Sequence, residues 1–152
     1  MAWIGIISDT HGLLRPEAVE RLRGVTRIVH VGDIGAPEIV PRLQDIAPVT
    51  AIRGNIDTAE WAMAYPEAVA LTIADRRLFV IHDRKDVAFD AEADGFDIVL
   101  SGHSHRPGFE FVGRVLFLNP GSAGPRRFRL PVTLATLDLG RTPLEPEIHV
   151  LI

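Results

Sequence analysis

The sequence has 152 residues, 47% of them apolar and 24% charged, a balance that suits one domain burying roughly two-thirds of its unfolded surface and excludes long disorder. It contains no cysteine, which excludes disulfides, thiolate metal sites and cysteine nucleophiles together and fits a reducing compartment. A formal net charge of -4 gives no general attraction to nucleic acid, whose non-specific binding rests on neutralising phosphates with Lys and Arg.

Met1 to Ile7 is apolar but lacks a basic leader and meets Ser8-Asp9 too early for a secretory signal. Trp3 to Ile7 therefore reads as a first strand. Pro16 opens a helical segment with Val19, Leu22 and Val25 on one side, Arg27 to Val31 is a second strand, and Pro37 opens a second helix with Ile39, Val40, Leu43 and Ile46 on one face. Val49 to Ile52 is the third strand, so this part reads βαβαβ, for which a parallel sheet is the default. The rhythm then changes to an antiparallel hairpin, Val69 to Ile73 and Leu78 to Ile81, turning at Asp75-Arg76-Arg77. A short helix is expected over Val87 to Ala93, then a buried strand Ile98 to Leu100 and a second hairpin, Phe109 to Val112 with Val115 to Leu118 about Gly113-Arg114. Val132 to Leu139 and Glu147 to Leu151 are strands joined by a turn at Gly140 to Pro143. The expectation is one α/β domain over residues 1–152, with two mixed sheets packed face to face as a sandwich and flanked by helices. No apolar run approaches the ~20 residues that span a bilayer, and a cytoplasmic protein without membrane association is expected.

Five polar clusters follow strand ends, where open α/β sheets place their ligands: Asp9-Thr10-His11, Gly32-Asp33, Gly54-Asn55-Ile56-Asp57, His82-Asp83 and Gly102-His103-Ser104-His105. Taken singly, each has an ordinary structural explanation as a cap, a turn or a hydrogen-bonded strand end. Together they hold four of the six histidines, and each ends an apolar strand where unpaired polar groups are costly to bury. A shared polycation removes that cost. Carboxylate, carboxamide and imidazole groups suit Mn, Fe, Co, Ni or Zn rather than a calcium cage. His30 reads as a satisfied core histidine, and His149 has no metal-like neighbours. Trp61 and Tyr65 are candidates to line a pocket or an oligomer contact. The Arg126 to Arg129 cluster reads as a solvated loop.

In this order the motifs Asp-x-His, Gly-Asp, Gly-Asn-x-Asp, His and Gly-His-x-His, with Asn119-Pro120-Gly121-Ser122 beyond them, span nearly the whole chain. The sequence resembles the calcineurin-like metallophosphoesterase superfamily, specifically its small single-domain phosphodiesterase branch. The resemblance implies a four-layer α/β-β/α fold and two divalent transition-metal ions, Mn first, with Ni, Fe, Co or Zn as alternatives. It implies that Asp9, His11 and His105 hold the first ion, Asn55, His82 and His103 the second, and that Asp33 bridges them. Asp33, Asn55 and His103 would then act in catalysis through a metal-bound hydroxide attacking a phosphodiester. Asp57 is expected to orient Asn55 or the Gly54 loop, and Arg53 and Arg106 to touch substrate phosphate.

Two positions depart from the family pattern. Ile56 stands where many relatives carry a histidine that serves as general acid or transition-state stabiliser, and Asp83 stands where this branch commonly has glycine. The expected substrate is a small phosphodiester, with no general nucleic-acid binding and a homodimer or higher homo-oligomer as the assembly. The alternatives are a non-catalytic scaffold, as in the phosphoesterase-like subunit of the retromer coat, a phosphomonoesterase, and a nuclease.

Overall fold

The computed structural model describes residues 2–152. The first sheet is built on β1 (Trp3–Ile7), β2 (Arg27–His30) and β3 (Val49–Ala51), which run parallel, with β9 (Thr133–Asp138) antiparallel to β1 and β10 (Glu147–Val150) antiparallel to β9. Its order is β10-β9-β1-β2-β3. The second sheet contains β4 (Ala68–Ile73), β5 (Arg76–Ile81), β6 (Ile98–Leu100), β7 (Gly108–Val112) and β8 (Val115–Asn119), in the order β4-β5-β6-β8-β7. There β5, β6 and β8 are parallel and the two edge strands antiparallel.

The two sheets pack face to face as the hydrophobic pattern requires. Ile4, Ile6, Val29 and Val31 from the first sheet meet Leu78, Val80, Ile98, Leu100, Leu116 and Leu118 from the second, all at most 1% exposed. The crossovers carry two short helices, α1 (Pro16–Arg21) and α2 (Ile39–Gln44). Pro16 sits in the first turn of α1 and Pro41 in that of α2, where a missing backbone N–H has no intrahelical acceptor to lose. Ala18, Leu22, Ile39, Val40 and Leu43 bury against Ile7, Ile28 and Leu134 on the outer face of the first sheet. Among the described residues, no helix is long and apolar enough to cross a membrane.

Two sequence expectations are corrected. The first hairpin turns at Ala74 and Asp75, both with positive φ (49° and 65°) as a two-residue turn demands, and Arg76 and Arg77 belong to β5. No helix covers 87–93: a 3-10 turn at Arg84–Asp86 leads into irregular chain, and the Asp90 side chain accepts the Ala93 N–H at 3.1 Å to close a turn instead. Val87, Phe89 and Ala91 recur every second residue, the period of extended chain, and they cover Phe79, Val99 and Phe117 on the outer face of the second sheet. Trp61 lies in a 3-10 turn, Glu60–Ala64, and packs, partly buried, with Tyr65 against the helix-side core.

Because β1, β2 and β3 point one way, and β5 and β6 run parallel to each other, the polar clusters that follow these five strands gather at one end of the sandwich.

Candidate metal centre

The loops after β1 and β2 are joined by backbone hydrogen bonds, Asp9 N to Gly32 O, His11 N to Asp33 O and Gly12 N to Ile34 O, at 2.8 to 3.0 Å. Gly102 N donates likewise to His82 O at 2.9 Å, joining the loop after β6 to that after β5. Such short, mutually bonded loops force left-handed backbone on side-chain-bearing residues: Asp9, His11, Asp33, His103 and His105 have φ between 47° and 69°. A left-handed conformation costs an L-residue roughly 1–2 kcal/mol. Five of the seven candidate ligands carry that cost, which among the other described non-glycine residues falls only on Ala74, Asp75 and Phe128.

Two groups of ligand atoms result. Asp9, His11 and His105 form one and Asp33, His82 and His103 the other, with one donor atom from each residue lying within 4.8 Å of the others in its group. Asn55 joins the second group, its Oδ1 lying 3.1 Å from His103 Nδ1. Asp33 faces both: its Oδ2 is 3.2 Å from His82 Nε2 and 3.6 Å from His11 Nε2. Asp9 Oδ1 lies 3.4 Å from His105 Nε2 and 3.8 Å from both His11 Nε2 and His82 Nε2.

The carboxylates divide their labour. Asp9 Oδ2 accepts from Ser8 Oγ at 2.5 Å and from His103 N at 3.3 Å, while Asp33 Oδ1 accepts from Ile56 N at 3.1 Å. One oxygen of each is thus fixed by the protein and the other turns into the cluster. His82 is held the same way, its Nδ1–H donating to Val31 O at 2.8 Å and leaving Nε2 free. Asp9 Oδ1, His11 Nε2, His82 Nε2 and His105 Nδ1 are buried with no hydrogen-bond partner. An unpartnered buried polar atom costs about 1–3 kcal/mol, and a cation satisfies several at once. Nitrogen and oxygen donors converging from two sides fit divalent transition metals.

The ionisation pattern agrees. Burial pushes the Asp9 carboxyl upward, but His105, His11 and Ser8 outweigh it and hold the group far below the usual carboxylate range. Asp33 is also lowered, burial being overcome by His82 and the Ile56 N–H. His82 is opposed by burial yet raised to about 9 by Asp33 and Asp9, so without a metal its Nε2 carries a proton at neutral pH.

The neighbouring side chains set the geometry. Asp57, 3% exposed, does not point into the cluster. Its carboxylate accepts the Ile34 and Gly35 N–H groups at 2.9 Å and that of Gly54 at 2.8 Å, tying the Asp33 loop to the Asn55 loop. His30 is fully buried; Gly32 N–H donates to its Nδ1 at 3.1 Å, so its Nε2–H donates to Thr10 Oγ1 at 3.0 Å, and that hydroxyl donates to Ile34 O. Burial lowers it to about 4, against opposing pulls from Asp9 and Asp57. Glycine is required at two places: a side chain on Gly54 would collide with Asp33, and one on Gly102 with Ser8 and Asp9.

Several of these roles escaped the sequence reading. Asn119 Nδ2 donates to Gly102 O at 2.9 Å and Ser104 Oγ at 3.1 Å, and Ser122 Oγ donates to Asp9 O at 3.0 Å. The Asn119 to Ser122 stretch was the available signal, though its spacing said nothing of what it holds. Ser8 had only its place beside Asp9. Ile56 projects its side chain outward, 44% exposed, and contributes its backbone N–H. Arg53 is held by Tyr65 O and by Glu67 at 3.3 Å, whereas Arg106 is exposed beside His103 and Ser104. Asp83 Oδ2 lies 3.7 Å from His103 Nε2, on the ring edge away from the nitrogen that meets Asn55.

A two-sheet sandwich that collects imidazoles, carboxylates and a carboxamide at its strand ends defines a metal-binding α/β protein of the phosphoesterase class. The calcineurin-like phosphoesterase superfamily domain matches residues 3–142. A probable metallophosphoesterase of Methanothermobacter thermautotrophicus is 32% identical over 157 residues, covering 95% of this chain and 90% of that protein. The structure of an archaeal phosphodiesterase superposes with a TM-score of 0.80 at 25% identity, covering 97% of this chain and 99% of that one. The vacuolar protein sorting 29 protein of Cryptosporidium parvum gives 0.74 at 21% identity, with 97% of each chain covered, a likeness of fold alone. The chain belongs to the calcineurin-like phosphoesterase superfamily.

Proposed function

We propose that the protein is a phosphodiesterase that holds two divalent transition-metal ions, one on Asp9, His11 and His105 and the other on Asn55, His82 and His103, with Asp33 shared between them. Manganese is the first choice, and Ni, Fe, Co or Zn suit the same donors. The observation that carries this reading is the placement of Asp33 Oδ2 between His82 Nε2 and His11 Nε2, two imidazole nitrogens that are buried without a partner. When bound, two such ions lower the pKa of water toward about 7 and polarise phosphoryl oxygens. The chain itself supplies position and charge. Asp9 and Asp33 bring two negative charges to a centre that would hold four positive ones, which favours an anionic ester. The Asp57 carboxylate and the Asn119 amide fix the loops that carry Asp33, Asn55 and His103.

Ile56 offers no proton to a leaving group. A general acid is worth about 10²- to 10⁴-fold, so aryl and otherwise activated diesters should turn over faster than alkyl ones. Diesters are favoured over monoesters because a second phosphate charge calls for fixed cations at the cluster, and Arg53 is already committed to Tyr65 and Glu67.

The test is hydrolysis of bis(p-nitrophenyl) phosphate beside p-nitrophenyl phosphate by metal-loaded protein, with metal content measured on the same samples. Near two ions per chain, a faster diester reaction and loss of it in Asp33→Asn and His103→Ala with the fold intact are expected. Full activity in either variant would remove the proposal.

A further inference from the structure

The surface beside the cluster is divided into two clefts of unlike charge. The larger, about 790 Å³, and the smaller, about 500 Å³, both have Asp83 and His103 in their walls, so these two residues form the ridge between them. A phosphodiester whose free oxygens face the metal ligands must turn its two ester oxygens in different directions, because phosphorus is tetrahedral. Each arm then needs its own space, and a cleft on each side of the His103 ridge provides it.

The larger cleft presents Arg84, Lys85 and Arg106 against the carboxylates of Asp83 and Glu110. Arg84 is fixed, paired with Glu110 at 2.8 Å and lying over Phe117 at 4.3 Å from the ring centroid. Lys85 and Arg106 are exposed and form no ion pair among the described residues. Phe109, half exposed, adds an open aromatic surface to the same wall. The smaller cleft reverses the sign: its one arginine, Arg53, is held by Tyr65 O and Glu67, and Glu67, Asp83 and Asp86 leave it acidic.

Building on the phosphodiesterase reading, we propose that the larger cleft is a subsite for one arm of the diester and selects an arm that joins an aromatic ring to a second anionic group, as a nucleoside phosphate does. The unpaired Lys85 and Arg106 receive the extra anion, Phe109 offers its face to the ring, and the acidic smaller cleft turns an anionic arm away. The preferred substrate is therefore an asymmetric diester of low molecular weight, with its uncharged or cationic arm in the smaller cleft.

Metal-loaded protein is assayed with two substrates that share a leaving group, the p-nitrophenyl ester of thymidine 5'-phosphate and the same ester bearing a 3'-phosphate. The second should show a kcat/KM about five- to tenfold higher through a lower KM, from two exposed ionic contacts, and the advantage should shrink as salt is raised. The Lys85→Gln/Arg106→Gln double variant should bring the ratio of the two substrates near one. Glu110→Gln, which removes a negative charge and releases Arg84, should raise it. Equilibrium binding of thymidine 3',5'-bisphosphate and thymidine 5'-phosphate is measured in parallel by calorimetry, and the bisphosphate should bind more tightly in wild type only. If both esters are cleaved with a ratio within twofold, or the double variant leaves the ratio unchanged, the subsite is refuted while the phosphodiesterase reading stands. If neither ester is cleaved, that reading fails, and equal binding of the two nucleotides then overturns the subsite as well.

Discussion

Replacing Asp57 with alanine should destabilise the fold and loosen metal binding together, although Asp57 touches no candidate ligand side chain. Its carboxylate is nearly buried and accepts three backbone N–H groups, from Ile34, Gly35 and Gly54, at 2.8 to 2.9 Å. A hydrogen bond to a charged group contributes about 1.5–3 kcal/mol. The three share one acceptor and are not additive, so a loss of about 3–5 kcal/mol is expected, a large part of the 5–15 kcal/mol that holds a typical domain. Urea unfolding of metal-free protein reads this directly. The Asp33 and Asn55 loops also lose their common anchor, and groups that orient metal ligands typically change metal affinity by about 10- to 100-fold. Calorimetric titration with Mn(II) should show that loss. Asp57→Asn keeps the size but turns an N–H₂ toward one of the three donors, so it should fall between wild type and alanine in both measurements. Stability within about 1 kcal/mol of wild type, with unchanged metal affinity, would show that the loops are held by something other than Asp57.

Metal binding should release close to one proton per chain near neutral pH, because His82 is raised to about 9 in the metal-free protein and must lose that proton to become a ligand. Proton release measured in weak buffer should fade as pH rises past about 9, and equal release well above that value would contradict the assignment of His82. Asp83→Gly should weaken binding at the second group by about tenfold, since Asp83 approaches the Nε2 edge of His103 while Nδ1 meets Asn55; unchanged Mn(II) affinity would reduce Asp83 to its cap on the Lys85 N–H at 3.0 Å. His30 binds a proton less readily when folded, about 4 against 6.5, so as pH falls the unfolded chain is protonated first. Its stabilising contribution is complete above 6.5 and disappears toward 4, about 3 kcal/mol in all and about 2 kcal/mol of that by about pH 5. Urea unfolding of metal-free wild type and His30→Gln across this range should show the steeper fall in wild type, and parallel curves would count against a buried neutral imidazole.

Strands β1, β2 and β6 are legible because runs rich in Ile, Val and Leu, buried on both faces, end abruptly at polar residues, and the chemical types of those residues point to the metal cluster. The hairpin turn was displaced because the Asp75-Arg76-Arg77 run is polar, whereas the turn is set by backbone sign, which composition does not record: Ala74 takes positive φ and Arg76 does not. The helix expected over Val87 to Ala93 does not form, and Val87, Phe89 and Ala91, two residues apart, place their side chains on the same outer face of the second sheet. What pins the ligands was least visible. Asp57 reaches Ile34 and Gly35 more than twenty residues back, and Asn119 reaches Gly102 seventeen residues back, and such partners emerge only when separate strand ends meet.

The fold alone does not assign a function, since a protein named for vacuolar sorting, 21% identical, shares it over 97% of its length. What points to one lies in costs that burial and backbone geometry do not offset. Five candidate ligands sit in left-handed backbone, together about 5–10 kcal/mol by the per-residue figure, and three of these, Asp9, His11 and His105, together with His82, each have a buried polar atom with no protein partner. A binding surface gains nothing from either feature, because the orphaned His11 Nε2 and His82 Nε2 both face the orphaned Asp9 Oδ1 at 3.8 Å rather than a partner. Strain concentrated on residues whose ligand atoms converge is what a pre-organised cation site requires. Gly54 and Gly102 sharpen the point: each leaves room for a carboxylate, Asp33 or Asp9, that turns its second oxygen into the cluster. The chain therefore maintains a costly arrangement at the strand ends where bound metal ions would make it favourable.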